Sequence, residues 1–206
     1  MRAMDAPDHY RTLSAPVTGF YRDRGSKFMA YGWPVHRASD IREKLDGLRR
    51  EHPKARHVCY AWRLGTDGTR FRANDDGEPS GTAGRPILGQ IDSAGLSNVL
   101  IAVVRYFGGT LLGAQGLIEA YKTSARDALE GAATEERLVE DLIELSFPYT
   151  AMNAVMTMVK KMQPTIVEQA FSESPRLVVA LRRAQTVTFC ENLENIDGVS
   201  ASILSE

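Results

Sequence analysis

The chain has 206 residues, of which 43% are hydrophobic and 25% charged, with a formal net charge of −1. That supplies a packed core for one large domain or two small ones, with a charge content ordinary for a soluble protein. No apolar run approaches the roughly 20 residues of a membrane-spanning helix, and the first nine residues (MRAMDAPDH) lack the apolar stretch of a secretion signal, so a cytoplasmic protein with no membrane partner is expected.

Charge is unevenly spread. Residues 1–133 hold 19 Lys and Arg against 15 Asp and Glu, and residues 134–206 hold 6 against 11. This difference supports a division into an N-terminal domain, 1–133, and a C-terminal domain, 134–206. Only the first has a positive balance to offer a nucleic acid, and a small one, so any binding surface must come from local clustering.

In chain order, an irregular tail with an entering strand occupies the first twenty or so residues. Lys27–Val35 (KFMAYGWPV) reads as a strand with Pro34 at an edge or an end. Ser39 or Asp40 can cap a helix running to about Glu51, with Ile41, Leu45 and Leu48 on one face. His57–Leu64 (HVCYAWRL) alternates as a strand, Gly65–Gly68 forms a hairpin turn, and Arg70–Ala73 returns. After a glycine-rich loop, Thr82 can cap a helix to about Ile91. Asn98–Val104 (NVLIAVV) is the most apolar run and the candidate central strand. A second glycine-rich loop leads into a helix from Gly113 to about Ala132, with Leu117, Tyr121, Ser124 and Ala128 along one side. Residues 132–136 read as a connector. The remainder reads as strand 138–147, helix 149–162, strands 165–171 and 176–183, helix 185–194 and strand 199–204, the β-α-β-β-α-β order of a ferredoxin-like domain. Met152, Met156, Met158 and Met162 fall at helical spacing and read as core filling.

The two glycine-rich loops, Asp75–Pro86 and Arg105–Gly113, carry most of the candidate chemistry. Asp75, Asp76 and Glu78 could ligate a hard cation, but turn chemistry, with a carboxylate capping the following helix, is favoured because no further acidic partner stands at a recognisable spacing. Neither a Walker loop nor a dinucleotide fingerprint fits, and no cofactor, metal site or catalytic residue is expected. Ser80, Gly81 and Thr82 at the helix start, with Arg85 beside them, form either a general anion site or a tight turn. His57 and Cys59 share one face of a strand but sit too far apart at their roots, about 7 Å from the strand rise, for a nucleophilic dyad. A buried, inert Cys59 fits better, while His57, next to Arg56, could contact a ligand. Cys59 and Cys190 have no CxxC spacing and read as separate reduced thiols. Arg105, in an otherwise buried strand, needs a partner, either a carboxylate of the 75–78 loop or a ligand phosphate.

Ser26-Lys27-Phe28, Arg56–Ala61, the stretch from Asp75 to Pro86, and Arg105–Leu117 together resemble the signature of the IMPACT family, in order and over about residues 20–130. The resemblance implies an α+β chain. Its N-terminal IMPACT domain would be similar to a ribosomal-protein fold. The small ferredoxin-like C-terminal domain of bacterial members, similar to a terminal domain of elongation factor G, would follow. It also implies a setting in translation, since the eukaryotic relative regulates translation under stress by binding another protein, with nucleic acid or the translation machinery as the bacterial partner. The chain departs from the family pattern at Leu111 (for lysine), Gln115 (for glycine) and Glu119 (for arginine). These remove two cations and add an anion, which weakens a phosphate-gripping groove.

The sequence therefore favours a non-enzymatic binding module contacting RNA, the ribosome or a translation factor. The alternative is a metal-dependent hydrolase or phosphate-handling enzyme built on Asp75, Asp76 and Glu78. In the first reading both loops meet in one hollow, with cations from Lys27, Arg56, Arg85 and Arg105 and with Tyr106, Gly108, Gly109 and Gly113 shaping its wall.

Overall fold

The structure is a computed structural model and describes residues 9–65, 69–171 and 174–204. The expected turn at 65–68 lies mostly outside them. The chain divides into two compact units, Met1–Arg137 and Leu138–Glu206.

In the first unit, strands β1 (His9–Leu13), β2 (Val17–Asp23) and β3 (Ser26–Pro34) precede helix α1 (Ala38–Glu51). Strands β4 (His57–Leu64) and β5 (Arg70–Asn74), helix α2 (Gly84–Ser93), strand β6 (Val99–Tyr106), helix α3 (Gly113–Leu129) and strand β7 (Thr134–Leu138) follow. Five strands form one sheet in the order β2-β3-β6-β4-β5, with every neighbouring pair antiparallel. A sheet without parallel pairs has no carboxyl-end crevice of the kind that gathers ligands in parallel α/β sheets. The expected connector is partly strand, because β7 pairs with β1 in a small second sheet.

The unbroken apolar run of β6 has a direct cause. Val99, Ile101 and Val103 face α2 and α3, packing with Ile87, Ile91, Leu117 and Tyr121. On the other face Leu100, Ala102 and Val104 pack with Ile41 and Leu48 of α1. A strand covered on both sides needs no polar face, whereas β2, at the edge, alternates between exposed and half-buried residues.

Helix α3 lies close along β2. A Cβ built on Gly19 would stand 2.3 Å from the Ala128 amide nitrogen, and the small residues Ala120, Ser124, Ala125 and Ala128 line the buried face of α3. At the start of α1, neither Ser39 nor Asp40 is the capping residue. Asp40 lies in the first turn and reaches back to accept the His36 and Arg37 N–H groups at 3.0 and 3.1 Å, and the His36 bond leads in holding its carboxyl below the usual range.

The second unit runs β8 (Glu140–Ser146), a 3-10 turn (Tyr149–Ala151), α4 (Met152–Met162), β9 (Thr165–Ala170), β10 (Arg176–Arg182), α5 (Arg183–Glu194) and β11 (Ser200–Leu204). Its sheet order is β11-β8-β10-β9, antiparallel throughout. Ile143, Leu145, Leu177, Val179, Val155, Phe189 and Leu193 form the core. The four methionines of α4 pack half-buried at its margin rather than at its centre.

Two glycines give opposite expectations. Gly19→Ala should cost about 1–3 kcal/mol through overpacking against α3. Gly47→Ala, in α1 with nothing within 4 Å of the added carbon, should stabilise by about 0.5–1 kcal/mol. Urea unfolding of the two variants checks both signs.

Candidate functional site

The loop between β5 and α2 is held by its own carboxylates. Asp76 and Gly77 take positive φ values of 43° and 88°, turning the chain back over the sheet. Asp75 Oδ1 then accepts the Ala83 and Gly84 N–H groups at 3.0 and 2.8 Å, and Oδ2 accepts that of Gly81 at 2.8 Å. Burial alone would raise the Asp75 pKa, but these three N–H groups and the nearby Arg85 guanidinium carry it below the ordinary aspartate value. The α2 N-terminus is thus capped by this side chain. Thr82 does not cap; its hydroxyl donates to the Pro79 carbonyl at 2.7 Å. The helix-start anion site weighed from the sequence is accordingly filled from within.

Asp76 ties the loop to its other neighbours. Its Oδ2 accepts the Val58 N–H at 2.7 Å, and its Oδ1 accepts Arg49 Nη2 of α1 at 2.8 Å. Its carbonyl lies 2.8 Å from His57 Nδ1, which places that ring's proton on Nδ1. His57 is thereby a support for the turn.

Glu78 reaches deepest. Its Oε1 accepts Arg105 Nη1 at 2.6 Å and the Tyr121 hydroxyl at 2.8 Å, and both charged partners are more than nine-tenths buried. Of the two partners left open for Arg105, the structure holds the internal carboxylate. Cys59 Sγ sits 3.0 Å from the Asp75 carbonyl and 3.3 Å from the Tyr121 oxygen. Burial drives the Cys59 thiol and the Tyr121 phenol well above their ordinary pKa values, so both stay protonated and Cys59 is no nucleophile. The Arg105 guanidinium also lies over the rings of Phe28 and Phe107, at 5.5 and 5.7 Å.

The second glycine-rich loop leans on the β2–β3 turn. A Cβ on Gly108 would fall 1.9 Å from the Gly25 carbonyl carbon, and the Gly108 N–H donates to Ser26 Oγ at 3.1 Å. Gly109 and Gly113, with φ of 90° and 70°, shape an exposed loop. The contact gathers Arg24, Lys27 and the 55% exposed Phe107 at one end of the sheet.

These placements correct the picture of one cation-lined hollow. Strand alternation puts Arg105, His57 and Cys59 on the α2/α3 face, and Lys27 and Tyr106 on the α1 face. Arg85 and Ser80 are exposed beside the first loop, and Arg56 is exposed at the entrance to β4. On the α1 face, His52 is held between two phenols, with Nδ1 2.9 Å from the Tyr106 hydroxyl and Nε2 2.9 Å from that of Tyr31. Beside it lies a cleft of about 440 Å³ lined by Gly25, Lys27, Met29, His52, Tyr106 and Phe107.

Sequence reasoning placed Tyr121 on the buried side of α3 but not in the polar network. The available signal was its hydroxyl, which needs a partner when buried. Arg49, His52 and Phe107 carried no signal of their own, since their roles come from tertiary contacts. The departures Leu111, Gln115 and Glu119 are all exposed, and Glu119 accepts from Thr123 within its own helix at 3.1 Å.

Removing one half of the buried pair should be expensive. Glu78→Ala should cost about 3–5 kcal/mol by leaving the Arg105 charge uncompensated, and the double variant Glu78→Leu/Arg105→Met should recover most of that loss. Chemical unfolding of the single and double variants checks this.

The family description "Impact N-terminal domain" matches residues 24–129 of the chain. The IMPACT family member YigZ of Escherichia coli is 30% identical over 194 residues, covering 93% of this chain and 95% of its own. A crystal structure described as that of a hypothetical protein aligns over 97% of this chain and 99% of its own, with 28% identity and a TM-score of 0.76. A chain described as the two-domain translational regulator Yih1 is 28% identical over 64% of this chain and 49% of its own, with a TM-score of 0.35. An N-terminal IMPACT domain followed by a second α+β unit, with family likeness along nearly the whole length, makes this chain a member of the IMPACT family.

Proposed function

We propose that this chain is a non-enzymatic, cytoplasmic binding protein that assists or regulates translation by contacting RNA on the ribosome. The setting in translation comes from the family resemblance. The RNA contact rests on one observation in the fold, the basic end of the β2–β3 hairpin. Arg22 and Lys27 stand directly opposite each other in the strand register, and Arg24 lies at the turn between them with φ of 43°. All three are exposed, and among the described residues none pairs with a carboxylate. Like charges directly opposite on one sheet face destabilise it, and a phosphate backbone seated there relieves that repulsion.

The hydrolase alternative draws less support. The carboxylates of Asp75, Asp76 and Glu78 each accept donors from within the protein. A metal would have to displace those donors from three separately anchored side chains.

Co-sedimentation with ribosomes across a salt series tests the proposal. Association should weaken steeply as salt rises, and Arg22→Ala/Arg24→Ala should lower the slope of log affinity against log salt by about 2. Absence of salt-sensitive association, or capture of a translation factor with no RNA requirement, would overturn the RNA reading.

A further inference from the structure

The half of the sheet that α1 leaves uncovered carries exposed aromatic rings beside exposed cations. On this face the strand register sets Phe20 opposite Met29, and Lys27 between Arg22 and Tyr106. Phe20 is 51% exposed and Phe107 55%, although burying either ring would be favourable. Beside Phe107 opens the cleft lined also by Lys27, Met29, His52 and Tyr106. Its volume of about 440 Å³ falls in the range of small-molecule sites.

The walls are held before any ligand arrives. Tyr106 is fixed through its hydroxyl to His52 Nδ1, and His52 is fixed from its other nitrogen by Tyr31, whose ring stacks on Trp33 at 6.0 Å with 9° between planes. Phe107 has the buried Arg105 guanidinium 5.7 Å from its ring centre. The cleft therefore presents ordered aromatic surfaces at little entropic cost on binding. Lys27 stands at its mouth, with Arg22 across the strand.

Flat ordered rings beside closely spaced unpaired cations match one ligand chemistry. Bases have a π face and ribose-phosphate carries the negative charge. Single-stranded binders use this combination of stacking surfaces and a basic track. An acidic peptide would answer the cations but leave the aromatic cleft without a matching group. We infer that this cleft takes a base of single-stranded RNA, stacked against Tyr106 and Phe107, with the adjoining phosphate on Lys27 and the next base over Phe20. The assignment rests on the RNA reading above and goes further, locating the contact on the α1 face, away from the first glycine-rich loop.

Fluorescence anisotropy with a labelled ten-nucleotide oligouridylate, and with an abasic strand of the same charge, tests it on the full chain. The abasic strand should bind about tenfold more weakly, and Phe107→Ala should weaken oligouridylate binding by a similar factor while barely affecting the abasic strand. Lys27→Ala should weaken both strands and lower the salt slope by about 1. Both substitutions lie at exposed positions, and circular dichroism confirms that the variants are folded. If the wild-type chain binds RNA but treats the two strands alike, or if Phe107→Ala and Lys27→Ala bind as tightly as wild type, the cleft assignment is wrong and the RNA reading survives. If neither strand nor the ribosome is bound, both fall.

Discussion

The ion pair between Glu78 and Arg105 is the interaction on which the N-terminal unit depends. An arginine near the end of the central strand would be costly to bury alone, and it faces the side of the sheet that α2 and α3 must cover. Glu78 solves this by reaching in from the loop before α2, and its second donor, Tyr121, comes from α3. One carboxylate oxygen thus joins the central strand, the loop and the long helix. Two charges withdrawn from water add little net stability over an apolar replacement. What they supply is position, since one buried carboxylate oxygen takes donors from both the central strand and the long helix.

The consequences spread outward from that point. With Glu78 anchored, Asp75 lies under the start of α2 and takes its free N–H groups, while Asp76 ties the loop to β4 and to Arg49 of α1. On the other side, the Arg105 guanidinium lies near the Phe107 ring, and Gly108 lets the second loop press against the β2–β3 turn. The buried polar cluster therefore serves as a foundation. Among the groups exposed around it and free to meet a partner are Phe107, Lys27, Arg22 and Arg24.

Much of this was legible in the residue order. Strand β4, the return strand β5, the central β6, helix α3 with its buried face and the β-α-β-β-α-β succession of the second unit all follow from periodicity and turn residues. The need of Arg105 for a partner followed from its place in an apolar run, and a carboxylate of the 75–78 loop was one of two candidates. The single cation-lined hollow was not correct, because strand alternation sends Lys27 and Arg105 to opposite faces, and only the pairing register reveals that both faces are covered differently. Thr82 looked like a cap because its type and place fit. The actual cap, Asp75, acts across nine residues of loop, a distance over which local patterns carry no information. The basic hairpin was half seen for a similar reason: Lys27 stood among the expected cations but Arg22 did not, and the two become a like-charged pair only once β2 lies beside β3.

The most direct test of the account is the NMR signature of the Arg105 guanidinium, assigned by comparison with Glu78→Gln. A buried group gripped by Glu78 and flanked by two rings should show restricted rotation, with separately resolved Nη protons that persist at neutral pH. A single averaged signal exchanging as fast as those of exposed arginines would mean that the pair does not hold the loop, and the positioning argument built on it would fail.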